Sequence, residues 1–354
     1  MMSRIELPSR YTAIDLKLGG GMGDIFQCQD MHLDRNVIVK VLKSGGEERR
    51  LIDEQKALTK LRSKHVVQLF DFTEIKIDGA PRDALVLEFI SGEELCYKPE
   101  YDITHIMKLL WQVACGLTDI HSASIIHRDI KPSNILKDGN GVVKILDFGL
   151  ARNEGGDALT RSIIGTPGYM APELFRSGKI SFDNKIDVYA FGVLAIDLLG
   201  LKHPADLDYL PPREVMFFPD LYKILPKLVA DIIMACIAND KDKRPTMLDV
   251  KKTLERFLLK DKHNALVIMR GQKHKISSTS RRAKITWGGD SIMTINYDGF
   301  NFSVESIDGL AKGNNIRLVA GSTFNGCSVI TLERNNSPSR TFVTFDISNP
   351  EVMS

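Results

Sequence analysis

The chain has 354 residues, 43% of them hydrophobic and 26% charged, with a formal net charge of +2. That balance describes an ordinary soluble globular protein with room for two domains; it excludes a low-complexity chain and supplies no strong field for a polyanion. The five cysteines are scattered and form no C-x-x-C pair, so they indicate neither a cysteine zinc site nor a disulfide framework and fit reduced thiols in a cytoplasmic protein.

The first notable string is LKLGGGMGDIF, Leu16–Phe26. Crowded glycines between β-prone segments suit a hairpin whose backbone approaches a phosphate. The spacing departs from G-x-G-x-x-G: counting back from Gly23, Gly20 is in place but Leu18 stands where the first glycine belongs. Strands and a single helix are expected over 11–90, with NVIVKVLK as a β-branched strand, Glu47–Ser63 as the helix and ALVLEFI as a buried strand. A helix is expected over 101–122, a loop-rich stretch over 123–185, then helices to about residue 260. The most apolar run, Val188–Gly200, is short and carries Asp197, so it reads as a core helix and no membrane contact is expected. Residues 261–282 are basic and rich in Ser and Thr, and read as a linker. Alternating short segments separated by Gly, Asn, Asp and Ser fill 283–350, the pattern of a small all-β domain.

Three further strings carry chemistry: IIHRDIKPSNIL (Ile125–Leu136), VKILDFGLAR (Val143–Arg152) and GTPGYMAPE (Gly165–Glu173). H-R-D-x-x-x-x-N is met by His127, Arg128, Asp129 and Asn134, D-F-G by Asp147 to Gly149, and A-P-E by Ala171 to Glu173. A single triplet would be a turn or a surface charge; the ordered set is not a chance event. Together they resemble the eukaryotic-type (Hanks) Ser/Thr protein kinases of bacteria and phages, over about residues 11–258.

The resemblance implies an α+β chain: a bilobal protein-kinase fold over 11–260 (N-lobe 11–90, C-lobe 91–260), followed by the all-β domain, whose strand rhythm resembles immunoglobulin-like modules. It implies an ATP- and Mg²⁺-dependent enzyme that phosphorylates protein hydroxyls. Asp129 would orient the attacking hydroxyl and accept its proton, and Lys131 would contact the transferred phosphate. Asn134 and Asp147 would hold magnesium. Lys40 would hold the α- and β-phosphates and pair with Glu54, with Glu47 and Glu48 as rivals. Gly20, Gly21 and Gly23 would lie against the phosphates; Ile25, Ile38 and Leu136 would sandwich the base; Leu87 would be the gatekeeper before hinge residues Glu88, Phe89 and Ile90. Ile38 stands where the family has alanine, and would crowd the adenine roof.

Lys131 and GTPGYMAPE resemble Ser/Thr rather than tyrosine kinases, with dual specificity as an alternative. Arg128 beside Asp129 implies an anion on the activation segment; Thr160 and Ser162 are the first candidates for phosphorylation, with Thr166 behind them because its hydroxyl would tie Asp129 to Lys131. Asp187 would brace the catalytic loop and Arg244 would pair with Glu173. A binding scaffold without turnover and a small-molecule kinase are the competing readings. A protein substrate is implied, with partner docking on the β domain; no basic–aromatic platform for nucleic acid is evident.

Overall fold

The computed structural model describes residues 5–20, 23–41, 48–153, 159–160, 165–175, 180–181, 183–288, 291–333, 340–348 and 350–352. Two compact units divide between Leu254 and Glu255.

The first unit begins with a six-stranded antiparallel sheet and a helix. Its elements are β1 (Ile5–Glu6), β2 (Tyr11–Gly20), β3 (Gly23–Asp30), β4 (Arg35–Val41), α1 (Glu48–Lys60), β5 (Leu69–Ile77) and β6 (Ala80–Glu88), in the order β1-β5-β6-β4-β3-β2. Side chains alternate across a strand. Phe26, Cys28, Val37, Val39, Val41, Ala84 and Val86 all enter one core on the same face. The intervening residues Ile25, Ile38, Lys40, Leu85 and Leu87 therefore share the opposite face, with Lys40 flanked by Ile25 and Leu85 and Ile38 flanked by Gln27 and Leu87.

The rest of the unit is mostly helical. It contains β7 (Gly92–Glu94), α2 (Ile103–Ser122), β8 (Ile125–Ile126), β9 (Ile135–Asp138), β10 (Val143–Ile145), β11 (Arg152–Asn153), β12 (Leu159–Thr160), β13 (Ile180–Ser181), α3 (Lys185–Leu198), α4 (Pro219–Ile224), α5 (Lys227–Cys236) and α6 (Met247–Leu259). Asp102 caps α2 by accepting from the His105 N–H. Helix α3 is buried almost all round. A Cβ on its Gly192 would sit 2.7 Å from Ile237 and 2.8 Å from Cys236, so glycine here permits the close approach of the α5 end. Among the described residues no helix is long and apolar enough to cross a membrane.

The second unit is all-β. Its strands are β14 (Asn264–Met269), β15 (Gln272–Ile276), β16 (Arg282–Trp287), β17 (Ser291–Tyr297), β18 (Phe302–Asp308), β19 (Leu310–Gly313), β20 (Ile316–Arg317), β21 (Thr323–Phe324), β22 (Ser328–Glu333) and β23 (Arg340–Ser348). They form one sheet in the order β15-β14-β23-β22-β19-β20 and another in the order β16-β17-β18-β21, around a single core that includes Trp287, Tyr297, Phe302, Phe324 and Phe345.

Two sequence expectations need correction here. The stretch 261–282 is not a linker, because β14 and β15 lie within it and β14 pairs along its whole length with β23. The basic residues that suggested a linker include Lys273 and Lys275 of β15, an edge strand, where lysine discourages pairing with other chains. The all-β expectation holds, but not the immunoglobulin order. That arrangement divides its first and last strands between two sheets, whereas here β14 and β23 are antiparallel neighbours in one.

Candidate active site

On β4, Lys40 is 5% exposed and its ammonium donates to both carboxylate oxygens of Glu54, at 2.9 and 2.8 Å, and to Asp147 Oδ1 at 2.8 Å. Of the sequence's three candidate partners, Glu54 is thus the one the structure brings to Lys40; Glu47 lies outside the described residues. Burial alone would favour the neutral amine, but the charges of Glu54 and Asp147 hold Lys40 protonated, above the ordinary lysine range. Burial pushes the Glu54 carboxyl upward, with Lys40 opposing. Burial pushes Asp147 the same way, yet Lys40 and the Gly149 N–H carry it below its usual value.

The loop after β8 carries the second cluster. A 3₁₀ turn, Pro132–Asn134, brings the Asn134 amide back to donate to the Asp129 carbonyl and to Asp129 Oδ2, both at 2.8 Å. Lys131 Nζ lies 2.8 Å from the same oxygen and 2.7 Å from Thr166 Oγ1, and the Thr166 hydroxyl donates to Asp129 Oδ1 at 2.8 Å. Both carboxylate oxygens of Asp129 are thereby fixed in direction. Gly165 precedes the threonine at φ 145°, a backbone setting that a side chain would strain.

This loop is strained and braced. Arg128 (φ 72°) and Asp147 (φ 59°) both sit in the left-handed region, costly for non-glycine residues and persistent only where surroundings impose it. Asp187, at the start of α3, imposes the first: its carboxylate accepts the backbone N–H groups of His127 and Arg128, each at 2.8 Å. Burial would raise the Asp187 pKa, but the His121 hydrogen bond helps carry it below the usual range. His127 supports the loop: its Nδ1 accepts the Asp129 N–H at 3.3 Å, its Nε2 meets the Leu146 carbonyl at 2.8 Å and its ring stands edge-on to Phe148. Arg128 is buried beside Arg152, and desolvation with that neighbouring cation lowers its pKa to about 10. Arg244 clasps Glu173 through two parallel bonds of 2.7 and 2.8 Å, both groups buried.

The remaining candidates fall as follows. Gly20 pairs with Gly23 across β2 and β3, while Gly21 lies outside the described residues. Ile25, Ile38 and Leu136 are half-buried and Leu87 is buried, with the first two and Leu87 on Lys40's face of the sheet. Glu88 is committed elsewhere: its N–H donates to Gln68 and its carboxylate takes Lys144 at 2.9 Å. Ile90 is half-buried beyond the strand. Thr160 lies in β12 opposite Ile180; Ser162 is outside the described residues.

Sequence reasoning missed three groups. His121 reaches Asp187 at 3.0 Å, but a histidine in the last turn of a helix gave no signal. Arg152 pairs with Asp53 at 2.8 Å and ties β11 to α1 next to Glu54. Asp197 accepts from the Tyr169 hydroxyl, with His203 on its other oxygen, anchoring the GTPGYMAPE segment to the end of α3.

The structure thus brings together a lysine shared by two carboxylates, an aspartate oriented by three donors and a braced loop. Residues 13–254 match the family model described as "Protein kinase domain", and the chain belongs to that family. Among curated relatives it is 32% identical over 263 residues to serine/threonine-protein kinase pkn3 of Myxococcus xanthus, covering 66% of this chain and 47% of that one. It is 34% identical over 200 residues to the PknA kinase of Corynebacterium glutamicum, covering 52% and 42%. The PknA of Mycobacterium tuberculosis strain H37Ra is 32% identical over 212 residues, covering 56% and 49%. The chain thus spans under half the length of these relatives.

Proposed function

We propose that this chain is an active Ser/Thr protein kinase that transfers the γ-phosphate of ATP to protein hydroxyls in the cytoplasm. The observation that carries the reading is Lys40 held between Glu54 and Asp147, because kinase turnover requires the lysine–glutamate pair and the D-F-G aspartate in place together. Asp147 offers a carboxylate, and Asn134 has its amide nitrogen committed to Asp129, so its oxygen is the atom left for a cation. One carboxylate and one amide oxygen, completed by phosphates, suit Mg²⁺, a hard cation that keeps few protein ligands. Bound Mg²⁺–ATP would supply the phosphoryl group and neutralise charge on it. Lys40 would position the α- and β-phosphates, with Gly20, Gly21 and Gly23 above them. Asp129 would accept the proton of the substrate hydroxyl, and Lys131 would face the transferred group. Thr166 would hold the peptide shelf against both. The intact cluster argues against a scaffold without turnover. Incubation with radiolabelled ATP and Mg²⁺ tests the reading: label on the chain or on added protein is expected, and none in an Asp129→Asn control.

Ile38 would press on the base from Lys40's face of the sheet. Ile38→Ala is expected to lower the KM for ATP by about fivefold, the equivalent of about 1 kcal/mol of relieved crowding. Unchanged ATP kinetics would remove that role. Arg128, buried near Arg152, would receive a phosphate on the activation segment. Mass spectrometry of active protein should find phosphate on Thr160 or Ser162. The double alanine variant should lose about tenfold or more in kcat, the worth of one charge-assisted hydrogen bond. The β unit would dock a partner of the kinase.

A further inference from the structure

The outer face of the six-stranded sheet in the second unit breaks the usual pattern. A sheet with one solvated face carries polar residues there. Val343, Phe345, Ile330, Leu332, Ala265 and Val267 enter the core, so the residues between them point outward. Four of those are apolar: Leu266 and Ile268 on β14, Phe342 on β23 and Val329 on β22. Phe342 is 62% and Val329 50% exposed. The registers make them neighbours. Ile268 faces Thr344, which faces Val329; Leu266 and Phe342 lie in the rows on either side.

Around the strip the charge is one-sided. Lys275 and Lys273 pair with Leu266 and Ile268 at one edge. Lys312 and Arg317 continue the Phe342 row at the other, and Arg340 ends β23. Among the described residues the acids on this face are Asp346 and Glu333, and Glu333 is already engaged by Lys312 at 3.0 Å. Five bases against two acids leave an excess of three positive charges.

We infer that this face docks an acidic amphipathic helix belonging to a protein substrate of the kinase. An apolar centre with a charged rim is the anatomy of a protein interface. Three neighbouring strands span about 10 Å, which matches apolar residues seven apart on a helix rising about 1.5 Å per residue. A second copy is disfavoured because two such faces would bring like charges together. A phosphate polymer would leave the aliphatic strip uncovered. The inference rests on the kinase reading only for the partner's being a substrate, so the test needs no ATP.

The probe is a fluorescein-labelled helical peptide with leucines on one face and glutamates flanking them, titrated with the full chain by anisotropy. Salt-sensitive binding is expected, weakened about tenfold or more in Phe342→Ser and in the Lys273→Glu, Lys275→Glu double variant. The same peptide with lysine for glutamate should bind the charge-reversed variant better than the wild type. Thermal melting and autophosphorylation, both expected to be unchanged, separate lost docking from lost folding or lost catalysis. No binding by the wild type, equal binding by the variants, or tighter binding to a single-stranded oligonucleotide or to anionic vesicles would overturn the inference.

Discussion

Asparagine in place of Asp129 is expected to lower kcat by about 10²–10⁴-fold, the range for loss of a positioned proton acceptor. The KM for ATP should barely move, because in the proposed arrangement this residue would face the attacking hydroxyl while Lys40 would hold the nucleotide's phosphates. The local geometry sharpens the effect. Thr166, Asn134 and Lys131 all donate to this one carboxylate. An amide offers one acceptor oxygen and turns a donor toward another donor, so the shelf loses alignment along with the base. Steady-state kinetics on a peptide, with melting as a folding control, reads the result. Activity within tenfold of the wild type would remove Asp129 from the role of base.

The second large effect concerns folding. Glu173→Ala would leave the Arg244 guanidinium, fully buried, without its bidentate carboxylate. Breaking such a pair by removing one partner costs about 3–5 kcal/mol, and a domain of this size loses about 2–4 °C per kcal/mol. A drop of about 10 °C in Tm is therefore expected. Arg244 also donates to the carbonyls of Ala238, Asn239 and Lys185. Adding Arg244→Met should thus restore only part of the loss, since those carbonyls would go unanswered. A single-variant Tm within about 3 °C of the wild type would show that the pair is no keystone.

The kinase-domain half of the molecule was legible because the family's motifs place fixed residue types at short spacings. Asp129 to Asn134 is one loop, and a turn of that length can only fold back on itself. Lys40 and Glu54 were harder, being joined by an ion pair across a segment whose helix start was uncertain, yet the strand–helix order left few partners. The brace from His121 to Asp187 could not be read, since nothing local in α2 marks a residue aimed at a carboxylate 66 positions away. The second unit was legible as β and misread in its bounds. The hairpin of β14 and β15 turns through Arg270 (φ 50°) and Gly271 (φ 79°), a two-residue connection suited to the strand twist. Arg-Gly is a weaker signal than Asn-Gly, and the lysines beside it resembled solvated linker. Pairing of the first strand with the last is a non-local choice that alternation alone does not specify.

The hydroxyl of Thr166 closes Asp129 onto Lys131. A phosphoryl group on that oxygen would consume the donated proton and set a dianion against the aspartate. Modification of Thr166 would therefore oppose turnover, whereas the phosphate proposed for Thr160 or Ser162 would favour it. One chemical mark, placed at different positions on a single segment, would carry opposite instructions.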